Sequence, residues 1–151
     1  MTTEVCNRSS LSSEYKLVTE VRKLNGEAVT SVITTGYIGA NADKQFVQVT
    51  PVVNEPDLWH PAHPNLYKLV SLLYKGNELL DCKETVFGFR WFEWTADRGF
   101  FLNGEHLFFK GANVHQDQAG WGDAVTEAAM RRDVQQMKEA GFDFIRGSHY
   151  P

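Results

Sequence analysis

Short runs of strand-forming residues, separated by tight-turn dipeptides, fill residues 1–95 and constrain the fold most. Asn25 and Gly26 separate two runs rich in Val, Thr and Ile, and Asn-Gly is a strong hairpin signal because both residues tolerate positive φ. Gly76 and Asn77 mark a second hairpin, and FVQVTPVV indicates a further strand, whose Pro51 suits an edge or a bulge. This pattern predicts about six or seven strands in an antiparallel β-sandwich of immunoglobulin-like type, with a small barrel as the alternative.

A helix is predicted in the second half of the chain, within TEAAMRRDVQQMKEAG. Thr126 is a suitable N-cap, and Glu127 can pair with Arg131 four residues later. Gly141 is a typical C-terminal stop. The apolar residues of this segment recur at helical spacing, at Met130, Val134 and Met137. One stripe of the helix should therefore pack on the strands before and after it.

The predicted helix lies between two strands. Before it, an Asn-Gly turn at Asn103 and Gly104 joins two apolar runs, the second of which continues into GANVHQD, and after it FDFIR is interpreted as a buried strand. Strand, helix and strand form a βαβ unit with parallel strands and the helix on one face. A single unit leaves one face and both edges of its sheet bare, so such units occur in runs. The last elements therefore require neighbours that are not in this sequence.

The composition is typical of a globular domain and excludes two classes of partner. The chain has 42% hydrophobic and 23% charged residues. Its net charge of -4 is spread along the sequence, without the basic stripe that nucleic acids or anionic membranes require. No run approaches a membrane span, and the N-terminus lacks a signal-peptide pattern. We expect no nucleic-acid and no membrane partner, while the compartment stays open because an excised piece would show no leader.

The two cysteines give little information about redox state. Cys6 and Cys82 are too few for a disulfide framework and have no metal-type spacing. We interpret them as free, buried thiols. Pairing stays open, because the sequence does not tell whether their strands are neighbours.

A functional site is expected at the carboxyl ends of the two parallel strands, because loops there can vary without disturbing the packed core. Polar and aromatic residues follow each strand within GANVHQDQAGWGD and RGSHYP: Asn113, His115, Asp117, Trp121, Arg146, His149 and Tyr150. Two adjacent strands thus bring two histidines and one arginine to one edge. Each residue alone has a structural explanation, but the set on one edge favours a site.

Several chemistries could use this set. A metal site could be drawn from His115, Asp117 and His149, but no HExxH or CxxC pattern supports it. A nucleophile would have to be Ser148, yet neighbouring residues of a strand point to opposite faces, so Ser148 would face away from His149. Glycoside hydrolysis needs two carboxylates. Asp117 alone stands at this edge, so the sequence does not supply the pair.

Four stretches in order resemble glycoside hydrolase family 2, the β-galactosidases, β-glucuronidases and their relatives: LWHPAHPNLYKL, GFR, FFLNGEHLFFKGANVHQD and DFIRGSHYP. The resemblance covers most of the chain and is most specific from Gly88 to Pro151. It implies a jelly-roll sugar-binding domain, an immunoglobulin-like sandwich and a catalytic TIM barrel. Residues 1–95 would be the immunoglobulin-like β-sandwich domain and residues 96–151 the N-terminal part of a truncated (β/α)8 barrel. Pro151 would then not be the natural end of the parent protein.

The same resemblance implies roles for single residues. His115 matches the histidine after the first barrel strand and His149 the histidine of the terminal signature, so both would contact sugar hydroxyls. Arg146 matches the signature arginine, whose positive charge would help to keep the nucleophilic carboxylate ionised. Asp117 stands where relatives carry an acidic residue or histidine, and we count it as substrate-binding.

Two positions depart from the family pattern. Asp143 replaces the usual Asn of the signature, which is a conservative change on the strand. Val114 replaces a basic residue of the galactosidase-like NRH motif, which leaves the sugar specificity open.

The implied parent is a retaining exo-glycosidase of β-galactosidase type, acting on a β-linked oligosaccharide or glycoside. One carboxylic acid would protonate the glycosidic oxygen and a second carboxylate would form a glycosyl-enzyme. Both glutamates of the family lie further along the barrel, so this chain alone should be inactive. Its partners would be the rest of the barrel and a jelly-roll domain. No cofactor is expected in this chain, and a divalent cation is conceivable in the full-length enzyme.

One other interpretation stays open, and another is discounted. A stand-alone immunoglobulin-like binding or scaffold module, without catalysis, would be a cooperative monomer. The fragment interpretation instead predicts that residues 96–151 are loosely ordered, since their barrel partners are missing. A doubly wound phosphate-binding fold is disfavoured, because no glycine-rich phosphate loop precedes the helix.

Overall fold

The computed structural model describes residues 1–149, and the chain divides into two units, Met1–Arg90 and Trp91–Pro151. The first unit contains eight strands in its described residues: β1 (Thr2–Asn7), β2 (Ser13–Lys23), β3 (Ala28–Ile38), β4 (Ala42–Val47), β5 (Trp59–His60), β6 (His63–Pro64), β7 (Tyr67–Lys75) and β8 (Glu78–Phe87). The second contains, up to residue 149, β9 (Phe92–Thr95), β10 (Gly99–Leu102), β11 (Glu105–His106), β12 (Gly111–Val114), α1 (Glu127–Glu139) and β13 (Phe144–Gly147). Among the described residues, no helix is long and apolar enough to cross a membrane.

The first unit is the predicted antiparallel sandwich. Its larger sheet has the strand order β3-β2-β7-β8, and its smaller sheet pairs β1 with β4. Both predicted hairpins are confirmed, because β2 pairs with β3 across the Asn25-Gly26 turn and β7 pairs with β8 across Gly76. Gly26 has a φ of 94°, which its missing β-carbon permits.

The strand expected over FVQVTPVV is wrong in its bounds. β4 runs over Ala42–Val47, so only the first residues of that segment are in a strand. Gln48 still exchanges backbone hydrogen bonds with Met1, at 2.9 and 2.8 Å. Beyond it, Pro51 has no N–H with which to continue the ladder.

Apolar side chains from both sheets form the core of this unit. Val5 and Phe46 come from the smaller sheet, while Tyr15, Leu17 and Ile38 come from the larger one. Every second residue of β2 from Tyr15 to Val21 is buried, as expected for a strand with one face on a core. The sandwich therefore rests on the alternation that its sequence shows.

A buried glutamine links the two sheets. Gln48 and Thr19 are 2% and 0% exposed, and the Thr19 hydroxyl donates to Gln48 Oε1 at 2.7 Å. The Gln48 amide nitrogen donates to the Leu17 carbonyl and to the Thr34 hydroxyl, each at 3.2 Å. These bonds satisfy polar groups that would otherwise be costly to bury.

Both cysteines are free but exposed, so the prediction of buried thiols is wrong. Cys6 lies on β1 opposite Asp43 of β4, on the face away from the core. Its side-chain hydrogen bond with Asp43 raises the pKa of the Cys6 thiol above its usual value. The pKa of Asp43 is lowered, first by its hydrogen bond with Arg8 and then by that with Cys6. Cys82 lies on β8, whose residues are exposed up to Val86.

The second unit opens with a three-stranded antiparallel sheet of order β11-β10-β9. Its Asn103-Gly104 turn has φ values of 53° and 84°, the two positive values that the common two-residue hairpin turn requires. The apolar run after this turn is not one strand as predicted, because β11 ends at His106 and β12 begins at Gly111. Since β9 pairs with β10, it lies in this unit, and the domain boundary after residue 95 stays a prediction.

An aromatic cluster joins this sheet to the two parallel strands. The Phe100 ring lies 4.6 Å from the rings of both Trp94 and Phe109, and Phe109 lies 4.8 Å from Phe144. Phe109 precedes β12 and Phe144 begins β13. The cluster therefore marks the amino ends of these strands.

The βαβ unit is present as predicted. The Thr126 hydroxyl accepts from the Ala129 N–H at 3.3 Å, the Arg131–Glu127 pair forms at 2.7 Å, and Gly141 follows the helix with a φ of 85°. β12 and β13 are parallel. The expectation that FDFIR is buried is wrong, since β13 is exposed throughout. The exposure arises because β12 is the one strand that pairs with β13 among residues 1–149.

Candidate functional site

The amino ends of β12 and β13 are fixed to each other by Asp143. Its carboxylate accepts from the Lys110 N–H at 2.8 Å, and its own N–H donates to the Lys110 carbonyl at 2.9 Å. An asparagine has the same side-chain oxygen, which explains why either residue suits this position. A β-carbon on Gly111 would lie 2.7 Å from the Phe144 carbonyl oxygen, so glycine allows the close approach.

The register between the strands decides which residues share a face. Asn113 is the partner of Arg146, and Val114 is the partner of Gly147. Side chains alternate along a strand, so Asn113 and Arg146 lie on the face opposite to Ile145. Ile145, Met130 and Val134 line a cavity of about 270 Å³ between the strands and α1. The helix thus lies over one face without closing on it, since Met130 and Val134 stay 53% exposed, and Arg146 lies on the other face.

Three of the four predicted site residues come together after the strands end. The His115 and His149 rings lie 5.9 Å apart between centroids and are nearly perpendicular, at 86°. Arg146 Nη1 lies 3.1 Å from His149 Nδ1. Two strands that are separated by a helix in sequence therefore bring a guanidinium and two imidazoles into one cluster.

Ser148 supports this cluster, a role that the sequence did not reveal. Its hydroxyl accepts from Arg146 Nη1 at 3.2 Å, and its N–H donates to the Val114 carbonyl at 2.9 Å. The residue is 1% exposed. Its hydroxyl contacts Arg146 rather than the His149 ring, which agrees with the argument against a serine nucleophile. The position of Ser148 directly before His149 was the signal available for this role.

Asp117 is the fourth predicted site residue. It lines a surface cleft together with Asn113 and His115, and the cleft continues along α1 past Asp133. His115 thus lines this cleft and also contacts the His149 ring. Tyr150, predicted at the same edge, lies outside the described residues.

The loop between β12 and α1 is ordered by its own hydrogen bonds. The Gln118 N–H donates to the Gly122 carbonyl at 3.1 Å, and the N–H of Trp121 donates back to the Gln118 carbonyl at 3.0 Å. The Gln118 side chain donates to Asp133 of α1 at 2.7 Å. Trp121 is 53% exposed at the tip of this loop.

The metal-site alternative gains no support from the geometry. Within residues 1–149, no three His, Cys, Asp or Glu side chains form a group that could hold a metal ion. His115, Asp117 and His149 are therefore not arranged as a ligand set.

Comparisons with known proteins decide the family. The family description "Glycosyl hydrolases family 2" matches residues 1–90, and "Glycosyl hydrolases family 2, TIM barrel domain" matches residues 95–151. The chain belongs to glycosyl hydrolases family 2. The predicted mainly β fold, an immunoglobulin-like sandwich followed by the start of a TIM barrel domain, is confirmed.

Several members of glycosyl hydrolases family 2 are similar over almost the whole chain. A putative beta-glucuronidase of Formosa agariphila is 35% identical over 96% of this chain and 16% of its own length. A beta-galactosidase of Thermoanaerobacter pseudethanolicus is 36% identical over 92% of the chain and 18% of its own. The crystal structure of Bacteroides uniformis beta-glucuronidase superposes with a TM-score of 0.92 at 34% identity, over 99% of this chain and 18% of that one. The chain thus spans less than a fifth of these relatives.

Proposed function

We propose that this chain is the sandwich-to-barrel segment of a retaining exo-glycosidase that hydrolyses terminal β-linked sugars. The observation that carries the proposal is the cluster of His115, Arg146 and His149 at the carboxyl ends of two parallel strands. In α/β barrels this end holds the active site. Family membership and relatives with the names beta-glucuronidase and beta-galactosidase support the reaction class.

The clustered side chains suit recognition of a sugar. Each imidazole presents a hydrogen-bond donor or acceptor to a hydroxyl group, and the two perpendicular rings direct these groups differently. Arg146 brings a permanent positive charge. A carboxylate beside it would be favoured in its ionised form, as a nucleophile must be. In this proposal His115, His149 and Asp117 bind the substrate, and Arg146 provides charge next to the reacting carboxylate.

The two catalytic carboxylates are proposed to come from later barrel strands. A retaining enzyme holds its pair about 5–5.5 Å apart, one as acid and base and the other as nucleophile. In the described part of the chain, Asp117 lines a cleft together with His115, and the family resemblance places both catalytic glutamates further along the barrel. We therefore expect no turnover by residues 1–151 alone. The rest of the barrel and a jelly-roll domain are the proposed partners.

The test is to express the complete reading frame that contains this chain and to assay 4-nitrophenyl β-D-glucuronide and β-D-galactoside. We expect turnover of at least one, and a loss of about 10²-fold in kcat/KM for His115→Ala and for His149→Ala, a loss typical of misplaced substrate. The matched control is His63→Ala, which changes an exposed histidine of the first unit and should leave kcat/KM unchanged.

Two results would overturn the proposal. One is a complete protein that hydrolyses neither these nor other β-glycosides. The other is turnover that neither histidine variant affects. Hydrolysis by the isolated 151-residue chain would contradict the placement of the carboxylates outside it.

A further inference from the structure

The hydrogen bond between Arg146 and His149 has a fixed direction. Arg146 Nη1 lies 3.1 Å from His149 Nδ1, and a guanidinium has five N–H donors and no acceptor. Nδ1 of His149 must therefore be the acceptor, which requires that it carry no proton. A neutral imidazole with a bare Nδ1 carries its proton on Nε2.

We infer that Arg146 is a positioning residue that holds His149 as the neutral Nε2–H tautomer, so that this ring offers the site one hydrogen-bond donor and no free acceptor. The inference deepens the proposed function and rests on it only for the identity of the group that accepts from His149 Nε2–H. That contact is an acceptor oxygen of the sugar, either a hydroxyl oxygen or a carboxylate oxygen.

A second hydrogen bond orients the Arg146 guanidinium toward His149. The same Nη1 donates to the Ser148 hydroxyl at 3.2 Å, and Ser148 is 1% exposed. The Ser148 N–H is bonded in turn to the Val114 carbonyl at 2.9 Å. Arg146 is thus linked through Ser148 to the ends of both parallel strands, which limits the orientations of its exposed guanidinium.

Protonation of His149 would break this arrangement. An imidazolium donates from both nitrogens, so Nδ1 could no longer accept, and a second positive charge would stand beside the guanidinium. The described ring contact of His149 is with His115, edge-to-face at 5.9 Å, and an imidazole is not an anion that would offset that charge.

The chain contains a natural reference for the experiment. His60 Nδ1 accepts a hydrogen bond from the Ala62 N–H at 3.1 Å, which fixes the same tautomer without any arginine. His60 lies in the first unit and His149 in the second. The ring signals of His60 should therefore not respond to substitutions of Arg146.

The test is a ¹⁵N–¹H correlation spectrum of the histidine rings in the complete protein that contains this chain, labelled with ¹⁵N-histidine, at about pH 8, where a free imidazole is neutral. We expect His149 and His60 to show a protonated Nε2 and an unprotonated Nδ1. In Arg146→Met, the two ¹⁵N shifts of His149 should move toward each other, as the ring begins to sample both tautomers, while those of His60 stay unchanged. Arg146→Lys, which keeps a donor, should restore part of the original separation.

A protonated Nδ1 of His149 in the unaltered chain would overturn the inference, and this result does not depend on whether any variant folds. Shifts of His149 that are the same in Arg146→Met and in the unaltered chain would overturn the role of Arg146. No sugar is present in these spectra. A complete protein without glycosidase activity would therefore refute the proposed function but not this inference. A protonated Nδ1 of His149 in an active protein would refute this inference but not the proposed function.

Discussion

The buried pair of Gln48 and Thr19 allows a quantitative test of what holds the two sheets of the first unit together. Gln48→Met keeps a similar volume but removes the amide. The Thr19 hydroxyl, 0% exposed, then loses its acceptor, and the Leu17 carbonyl loses one donor. A buried polar group left without a partner costs about 1–3 kcal/mol, whereas the half-buried Thr34 hydroxyl can reach water. We expect the free energy of unfolding to fall by about 2–4 kcal/mol.

A double variant separates the hydrogen bond from general packing. Thr19→Val removes the other partner, and removal of both partners is far less costly than removal of one. The combined variant should therefore be about 1–3 kcal/mol more stable than the sum of the two single effects predicts. Thr35→Val, which alters an exposed position of the neighbouring β3, is the matched control and should change stability by less than about 0.5 kcal/mol.

The assay is urea unfolding followed by far-UV circular dichroism, with amide hydrogen exchange of β2 as a residue-level measurement. Equal m-values across the variants would show that the same unfolding transition is compared. If the two single effects add within about 0.5 kcal/mol, the reasoning is refuted, because the bond then contributes no coupling between the sheets.

Three further predictions concern other positions. Asp143→Asn should leave stability unchanged in urea unfolding, while Asp143→Ala should cost about 1 kcal/mol because one backbone donor loses its acceptor; equal effects would contradict the assigned role. Asp43→Asn should lower the pKa of the Cys6 thiol, increase its thiolate fraction at neutral pH and speed alkylation by iodoacetamide, measured by mass spectrometry against Cys82, and an unchanged rate ratio would contradict it. In the complete protein, His149→Gln should retain more kcat/KM than His149→Asn, because its amide nitrogen lies near the Nε2 position; the opposite order would argue against the Nε2–H donor.

Elements with local signals could be predicted from the sequence. The Asn25-Gly26 and Asn103-Gly104 turns and the Thr126 cap each depend on a few consecutive residues, and the structure has all of them. Strand β1 was not foreseen, because it pairs with β4, some forty residues later. The prediction that Cys6 is buried failed for the same reason, because it also depends on residues far along the sequence. Its burial depends on which face of β1 meets the core, and no short segment contains that information.

The candidate site was predictable in outline and not in detail. The rule that loops at the carboxyl ends of parallel strands hold the chemistry selected His115, Arg146 and His149, and the structure brings them together. The same rule selected Asp117, which lines a cleft with His115 and with residues of α1. The Ser148 contact and the direction of the Arg146 bond depend on side-chain geometry. The sugar-binding roles themselves rest on the family resemblance and stay predictions.

The aromatic cluster and the polar cluster lie at opposite ends of the two parallel strands. Trp94, Phe100 and Phe109 hold Phe144 at the amino ends, whereas the polar cluster stands beyond the carboxyl ends, about 13 Å away for a strand of four residues. Substitutions at the polar end can therefore accumulate while the aromatic cluster at the other end maintains the fold. A directed-evolution library that explores the proposed glycoside specificity should vary residues 113–123 and 146–149 and leave Trp94, Phe100, Phe109 and Phe144 unchanged.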